Sequence, residues 1–272
     1  VNVSAVWLED SPGLALGNVF GADMINVFVL AMVALAFGVT NLFGNQGRDT
    51  QILILLGVAL VTLAALMGFS GDLKLGPTSL GGLLILAVYI AGMRAVYRAG
   101  RAGTNPGDAT VPTGSPRGAW IGFGISVAVV IVAGRFLAAS ADSIAQISGI
   151  SASFIGVLLV SIVTTLPEAS VTVTAALRKS YGIAMGNVYG SNAFNVVIFS
   201  LSDLFYPGKP LLGEMQAAHF AAAAGALVLM VMGYVIWRAC QSTALRSARV
   251  LTPAIPLVWV AALYIVFRLA QA

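Results

Sequence analysis

Glu168 stands in the run Val163-Thr164-Thr165-Leu166-Pro167-Glu168-Ala169-Ser170, well inside an apolar stretch from about 152 to 177. A carboxylate at that depth of a membrane-length segment is costly without a polar or ionic partner, so it marks a candidate functional site. Thr164 and Thr165 lie four and three residues earlier, on the same helical face. Pro167 has no amide hydrogen and disfavours helix at Leu166, which frees carbonyls one turn back, near Val163 and Thr164. Hydroxyls, loosened carbonyls and one carboxylate form a hard oxygen-ligand set. Such a set suits Na⁺ or Ca²⁺ and is unsuited to soft metals.

More polar side chains come from an internal repeat. Ser11–Val27 aligns with Ser180–Val196 at an offset of 169, and nine of the 17 positions are identical, among them Gly17/Gly186, Asn18/Asn187, Gly21/Gly190 and Asn26/Asn195. Each copy carries glycines four apart, Gly13, Gly17, Gly21 and Gly182, Gly186, Gly190. That spacing lines one helix face, where missing side chains let another helix come close. Asn195 follows Ser191 by one turn, and Asn26 is its counterpart. Amides this deep must face protein, water or an ion. Asn18 and Asn187 are divided evenly between interhelical hydrogen bonding and the site. Asp23 would add a second carboxylate if it faces the site; facing a neighbouring helix is the alternative.

The elements that position these residues must sit in lipid. With 14 Lys+Arg and 10 Asp+Glu, 9% of the 272 residues are charged and 59% are hydrophobic, against roughly 25% charged in soluble domains. A soluble fold is excluded, and the net charge of +4 is no nucleic-acid footprint. Apolar runs long enough to cross a bilayer occur at about 14–37, 51–68, 78–98, 119–140, 152–177, 182–203, 217–238 and 254–270. Residues 1–9 read as the last turns of a further helix, and nothing at the start resembles a signal peptide. No ten-residue alternation of the membrane-barrel type is present, so the fold class is an all-α, polytopic transmembrane helical bundle.

Alternate loops hold Arg48, Arg94, Arg98, Arg101, Arg117, Arg178, Lys179, Arg238, Arg246 and Arg249 on one side and Lys74, Lys209 and Arg268 on the other. This bias places the loop 99–118 in the cytoplasm and the C-terminus outside. The loop is rich in Gly, Pro and Thr and reads as a linker. The second copy of the repeat opens five spans after the first, so an odd number of crossings inverts it. Inverted repeats whose polar motifs meet near the midplane are the architecture of many secondary transporters. Arg135 and Asp142, seven apart on one face, are expected to pair or snorkel. His219 is expected at the membrane interface. Cys240 is the one cysteine and is expected to be inert packing.

These motifs resemble the two alpha-repeats of the calcium/cation antiporter superfamily, the sodium/calcium exchanger-like membrane proteins. Each family repeat has a Gly-Thr-Ser-Leu-Pro-Glu-like element, then Gly-Asn-x-x-Gly-Ser-Asn-x-x-(Asn or Asp) on the next helix. Thr164, Thr165, Leu166, Pro167, Glu168 and Gly186, Asn187, Gly190, Ser191, Asn192, Asn195 match it. The resemblance implies inverted-topology repeats of five helices each, with a first repeat over 1–98, a cytoplasmic linker over 99–118 and a second repeat over 119–272. A residue 169 before Glu168 would precede Val1, so the first helix and a half of the family pattern is expected to be missing. The first copy also reads Ala22-Asp23 where Ser-Asn is expected.

By resemblance the transported-cation site comprises Glu168, Thr164, Thr165, Ser191, Asn195 and Asn26, with Asp23 as a further candidate. The implied activity is secondary antiport of Ca²⁺ for Na⁺ or H⁺ by alternating access, without cofactor or enzymatic chemistry. The alternatives are antiport of K⁺ or Na⁺ against H⁺, and a decayed, non-transporting homologue. The implied partners are inorganic cations and the lipid bilayer, in a bacterial inner membrane.

Overall fold

The computed structural model describes residues 1–44, 46–101, 116–242 and 244–271. A short helix α1 (Asn2–Trp7) leads into the long helix α2 (Pro12–Phe37). After α3 (Val39–Phe43), α4 (Arg48–Ser70) and α5 (Leu80–Arg101) form a hairpin joined by a ribbon of β1 (Lys74–Leu75) and β2 (Thr78–Ser79). Then come α6 (Pro116–Ser148), α7 (Ala152–Ile155), a π-helical turn (Gly156–Val160) and α8 (Ser161–Leu177), the last three forming one continuous rod. The chain closes with α9 (Tyr181–Asp203), a 3₁₀ turn (Leu211–Glu214), α10 (Ala217–Gln241) and α11 (Leu245–Ala270).

Long apolar windows favour helices because lipid offers no partner for an open backbone group. Breaks fall where the chain chemistry changes. Pro12 opens α2 behind Ser11, using the one helical position where a missing amide hydrogen costs little. Gly71 closes α4 with φ 80° and Gly149 follows α6 with φ 70°, conformations that side chains resist. Among the described residues seven helices are long and apolar enough to cross a membrane. The eighth expected span forms α9, whose 23 residues reach far enough but whose Gly, Asn and Ser dilute its apolar character. The expected linker over 99–118 lies mostly outside the described residues; α5 continues to Arg101 and α6 starts at Pro116.

Helix α2 forms the centre of the bundle. It is buried along most of its length and packs against α8, α9, α10, α11 and the π turn. Its approach to the rod 152–177 is backbone to backbone. A Cβ on Gly17 would overlap the Ser153 carbonyl, one on Gly21 the Val157 carbonyl, and one on Gly156 would lie 2.6 Å from the Leu14 carbonyl oxygen. Larger residues at these positions would push the helices apart. Helix α6, by contrast, lies at the periphery and exposes Trp120, Phe123, Val130 and Phe136, the apolar surface a helix offers to lipid.

One expectation requires correction. Arg135 bonds not with Asp142 but with Glu9, whose Oε1 is 3.7 Å from Nη1, while Asp142 accepts from Gln146 Nε2 at 2.6 Å. Seven residues along a helix is a rise of roughly 10 Å, and each group has a nearer partner. His219, in the first turn of α10, is fully buried within the bundle. Its Nδ1 accepts from the Gln216 amide at 2.9 Å, so Nε2 carries the hydrogen that faces the Gly13 carbonyl at 3.2 Å and ties α10 to the start of α2.

Candidate ion-binding site

Helices α8, α2 and α9 supply most of the polar side chains of a cavity of about 320 Å³ within the bundle: Thr164, Thr165 and Glu168 from α8, Asn18 and Asn26 from α2, and Asn195 from α9. Asn2 of α1 and apolar groups such as Phe194 and Ile198 complete the lining. Local structure aims the α8 residues. The π turn resets the helical register just ahead of them, as such turns often do at functional sites, and Pro167 sits inside α8. Thr164 and Thr165 are thereby brought to the same cavity as Glu168, as their spacing predicts.

Hydrogen bonding divides the lining atoms into those already engaged and those free. Thr164 Oγ1 donates to Asn18 Oδ1 at 2.8 Å, and Asn18 Nδ2 donates to Asn2 Oδ1 at 2.6 Å. Asn18 is therefore engaged at both ends of its amide. Thr165 Oγ1 and Glu168 Oε2, however, are buried without a hydrogen-bond partner. Buried polar atoms without partners are rare and call for a cause such as an absent ion or water. Here both unpartnered oxygens belong to residues of one cavity wall.

The two repeat copies meet across the cavity through two equivalent hydrogen bonds. Asn26 Nδ2 donates to Asn192 Oδ1 at 2.8 Å, and Asn195 Nδ2 donates to Asp23 Oδ1 at 2.9 Å. Asn192 and Asn195 are the repeat counterparts of Asp23 and Asn26, so each bond is the image of the other. Both lining amides have their NH₂ groups tied back to the opposite copy. Their oxygens accept no hydrogen bond among the described residues and could coordinate a cation.

Not every candidate joins the cavity. Ser191 is half-buried on α9 and is not part of the lining. Asp23 is fully buried and faces α9 through Asn195 rather than lining the cavity, which is the alternative left open for it. Asn187 braces the frame: its Nδ2 donates to the Glu168 carbonyl at 2.9 Å and lies 3.0 Å from Thr172 Oγ1. Asn2 is not marked by the sequence, and Asn192 is marked there only as part of the Gly-Ser-Asn motif, without a role at the site. Asn192 carried a usable signal, the 169-residue pairing with Asp23, whereas Asn2 sits outside the repeat and carried none. Among the described residues no group of three or more His, Cys, Asp and Glu side chains could hold a metal. Any cation here would therefore meet one lining carboxylate and several neutral oxygens.

A family model described as sodium/calcium exchanger protein matches residues 118–271, more than half of the chain. The chain belongs to this sodium/calcium exchanger family. This exchanger chain is 27% identical over 276 residues to inner membrane protein YrbG of Escherichia coli strain K12, covering 96% of the chain and 80% of that protein. It is also similar to the sodium/calcium exchanger MaX1 of Methanosarcina acetivorans, with 44% identity over 85 residues, 30% of the chain and 24% of that protein. The fold is that of a solved structure of the sodium-calcium exchanger NCX_Mj soaked with 100 mM Na⁺ and 10 mM Sr²⁺, with a TM-score of 0.59, 22% identity and coverage of 97% of this chain and 79% of that one. The resemblance drawn from the Pro-Glu and Gly-Asn motifs is borne out at the level of family and helical fold.

Proposed function

We propose that this exchanger-family chain is a secondary antiporter that moves Ca²⁺ in exchange for Na⁺ or H⁺. The observation that carries the reading is the cavity with its unpartnered Glu168 and Thr165 oxygens, walled by side chains of both repeat copies. Glu168, Thr165 and the side-chain oxygens of Asn26 and Asn195 are the cation ligands, with Thr164 held beside them by Asn18. All are hard oxygen donors, the type that Na⁺ and Ca²⁺ accept. Exchange follows because one carboxylate cannot serve two cations at full occupancy. Alternating access arises from movement of the first repeat, 1–98, against the second, 119–272, so that a site made from both opens to one side at a time. The loop 99–118 is cytoplasmic, the C-terminus outside, and the membrane a bacterial inner membrane.

A second reading has its own support. Ca²⁺ prefers six to eight oxygens, usually with more than one carboxylate, whereas Glu168 is the one carboxylate in the lining. That count favours K⁺ or Na⁺ exchanged against H⁺. Reconstituted full-length protein separates the two. Uptake of radioactive Ca²⁺ driven by an outward Na⁺ or H⁺ gradient supports the first reading. Monovalent flux that Ca²⁺ neither competes with nor requires supports the second, and no flux under any gradient identifies a non-transporting homologue.

A further inference from the structure

We infer that Asp23 is a positioning residue that holds the Asn195 side-chain oxygen toward the cation, an inference that rests on the antiporter reading above. An asparagine amide has two ends of nearly equal size, and only its partners decide which end faces the cavity. Asn195 lines the cavity while its Nδ2 donates to Asp23 Oδ1 at 2.9 Å. With the NH₂ committed backward, Oδ1 is the polar atom left for the cavity. The opposite orientation would set the amide oxygen against a carboxylate oxygen, two acceptors in contact. The Asp23 oxygen that accepts this bond, Oδ1, plays that part whether or not the other carboxyl oxygen carries a proton, so the acceptor alone holds the amide in this orientation.

The same residue reaches the second lining amide. Asn192 Nδ2 lies 3.4 Å from the Asp23 backbone carbonyl, which turns Asn192 Oδ1 toward Asn26 Nδ2 at 2.8 Å. Asn26 in turn is left with its oxygen free. Asp23 thus stands behind both lining amides, through its side chain for Asn195 and through its main chain, by way of Asn192, for Asn26. Its counterpart Asn192 performs the equivalent task for Asn26 with a neutral amide, so an acceptor oxygen rather than a charge is what the position requires. Fully buried and outside the cavity lining, the Asp23 side chain acts on the cation only through Asn195.

The test uses the purified full-length protein and Ca²⁺ or Na⁺ alone as probe, titrated calorimetrically, with Asp23→Leu, Asp23→Asn, Asn195→Ala and the double variant Asp23→Leu/Asn195→Ala. Losing the acceptor in Asp23→Leu weakens cation binding by about tenfold or more, the size associated with a lost hydrogen bond to a charged group. Asp23→Asn keeps an acceptor and stays within about threefold of wild type, less than the 1.4 kcal/mol that marks a tenfold change. On the Asn195→Ala background Asp23→Leu has less than about a twofold further effect, because the group it positions is gone. Should Asp23→Leu fail to fold, Asp23→Ala reads the same loss. The inference is overturned if Asp23→Asn loses as much as Asp23→Leu, which would make charge the essential property. It is equally overturned if the acceptor-free variants bind like wild type, or if their loss is undiminished beside Asn195→Ala. A wild-type protein that binds neither cation overturns the antiporter reading and this inference with it.

Discussion

The two copies of the repeat carry the same glycine face and place it in opposite surroundings. On α2, a Cβ at Gly17 or Gly21 would run into the backbone of the rod 152–177. On α9, a Cβ at the equivalent Gly186 or Gly190 meets no atom within 4 Å among the described residues. The α2 copy is sealed against the rod that carries Glu168, and the α9 copy leaves its glycines open. Identical residues at an offset of 169 thus define equal capacities, and the neighbouring element decides whether a capacity is used. One copy fixes the distance between α2 and Glu168, while the other contributes Asn195 from a less enclosed helix.

Substitutions can break this contrast. The largest structural effect is expected from Gly21→Ala, because the added methyl overlaps the Val157 carbonyl, and a backbone atom in a continuous rod cannot move aside cheaply. Overpacking of this kind costs roughly 1–3 kcal/mol and occasionally more, so the thermal midpoint of the detergent-solubilised chain should fall clearly and cation binding should weaken with it. An unchanged midpoint would mean that α2 and the rod are not in backbone contact. A smaller effect is expected for Asn187→Leu, which removes one donor to the Glu168 carbonyl while the Thr172 hydroxyl still donates to it at 2.7 Å, and would cost about 0.5–1.5 kcal/mol, the net worth of one hydrogen bond. Here the prediction is lower thermal stability with a Ca²⁺ or Na⁺ affinity that changes less than in Glu168→Gln; the reverse order would place Asn187 among the ligands. The smallest effect belongs to Gly190→Ala. With nothing to strike in this chain, the methyl should leave stability unchanged or raise it by up to about 1 kcal/mol through helix propensity, and a loss as large as that of Gly21→Ala would erase the contrast.

Much of the site could be read from the residues because the required geometry is local. Thr164, Thr165 and Glu168 share a face by helical spacing alone, and Asn26 and Asn195 were marked by repetition. The glycine spacing announced close helix contact but not which copy would use it, since that depends on a rod far away in the chain. The crossed bonds Asn26–Asn192 and Asn195–Asp23 were out of reach for the same reason: the offset relates positions between copies without saying that position 23 of one faces position 26 of the other. Arg135 illustrates the limit. Its own helix suggested Asp142, but Glu9, in the turn just past α1, stands closer. Helical segments were legible because apolar length is a property of the segment itself, and α9 was the least apolar of them because its polar side chains serve the interior.

The central claim is that Glu168, with its unpartnered buried oxygen, is the carboxylate that holds the transported cation. Its most direct test is cation uptake by proteoliposomes containing the full-length protein, comparing wild type with Glu168→Gln at matched amounts of folded protein. The substitution keeps size and removes the charge that a Na⁺ or Ca²⁺ site needs. The account predicts that gradient-driven uptake in Glu168→Gln falls at least about tenfold, the equivalent of about 1.4 kcal/mol, while the protein remains folded and monodisperse. Uptake by Glu168→Gln equal to that of wild type would contradict it.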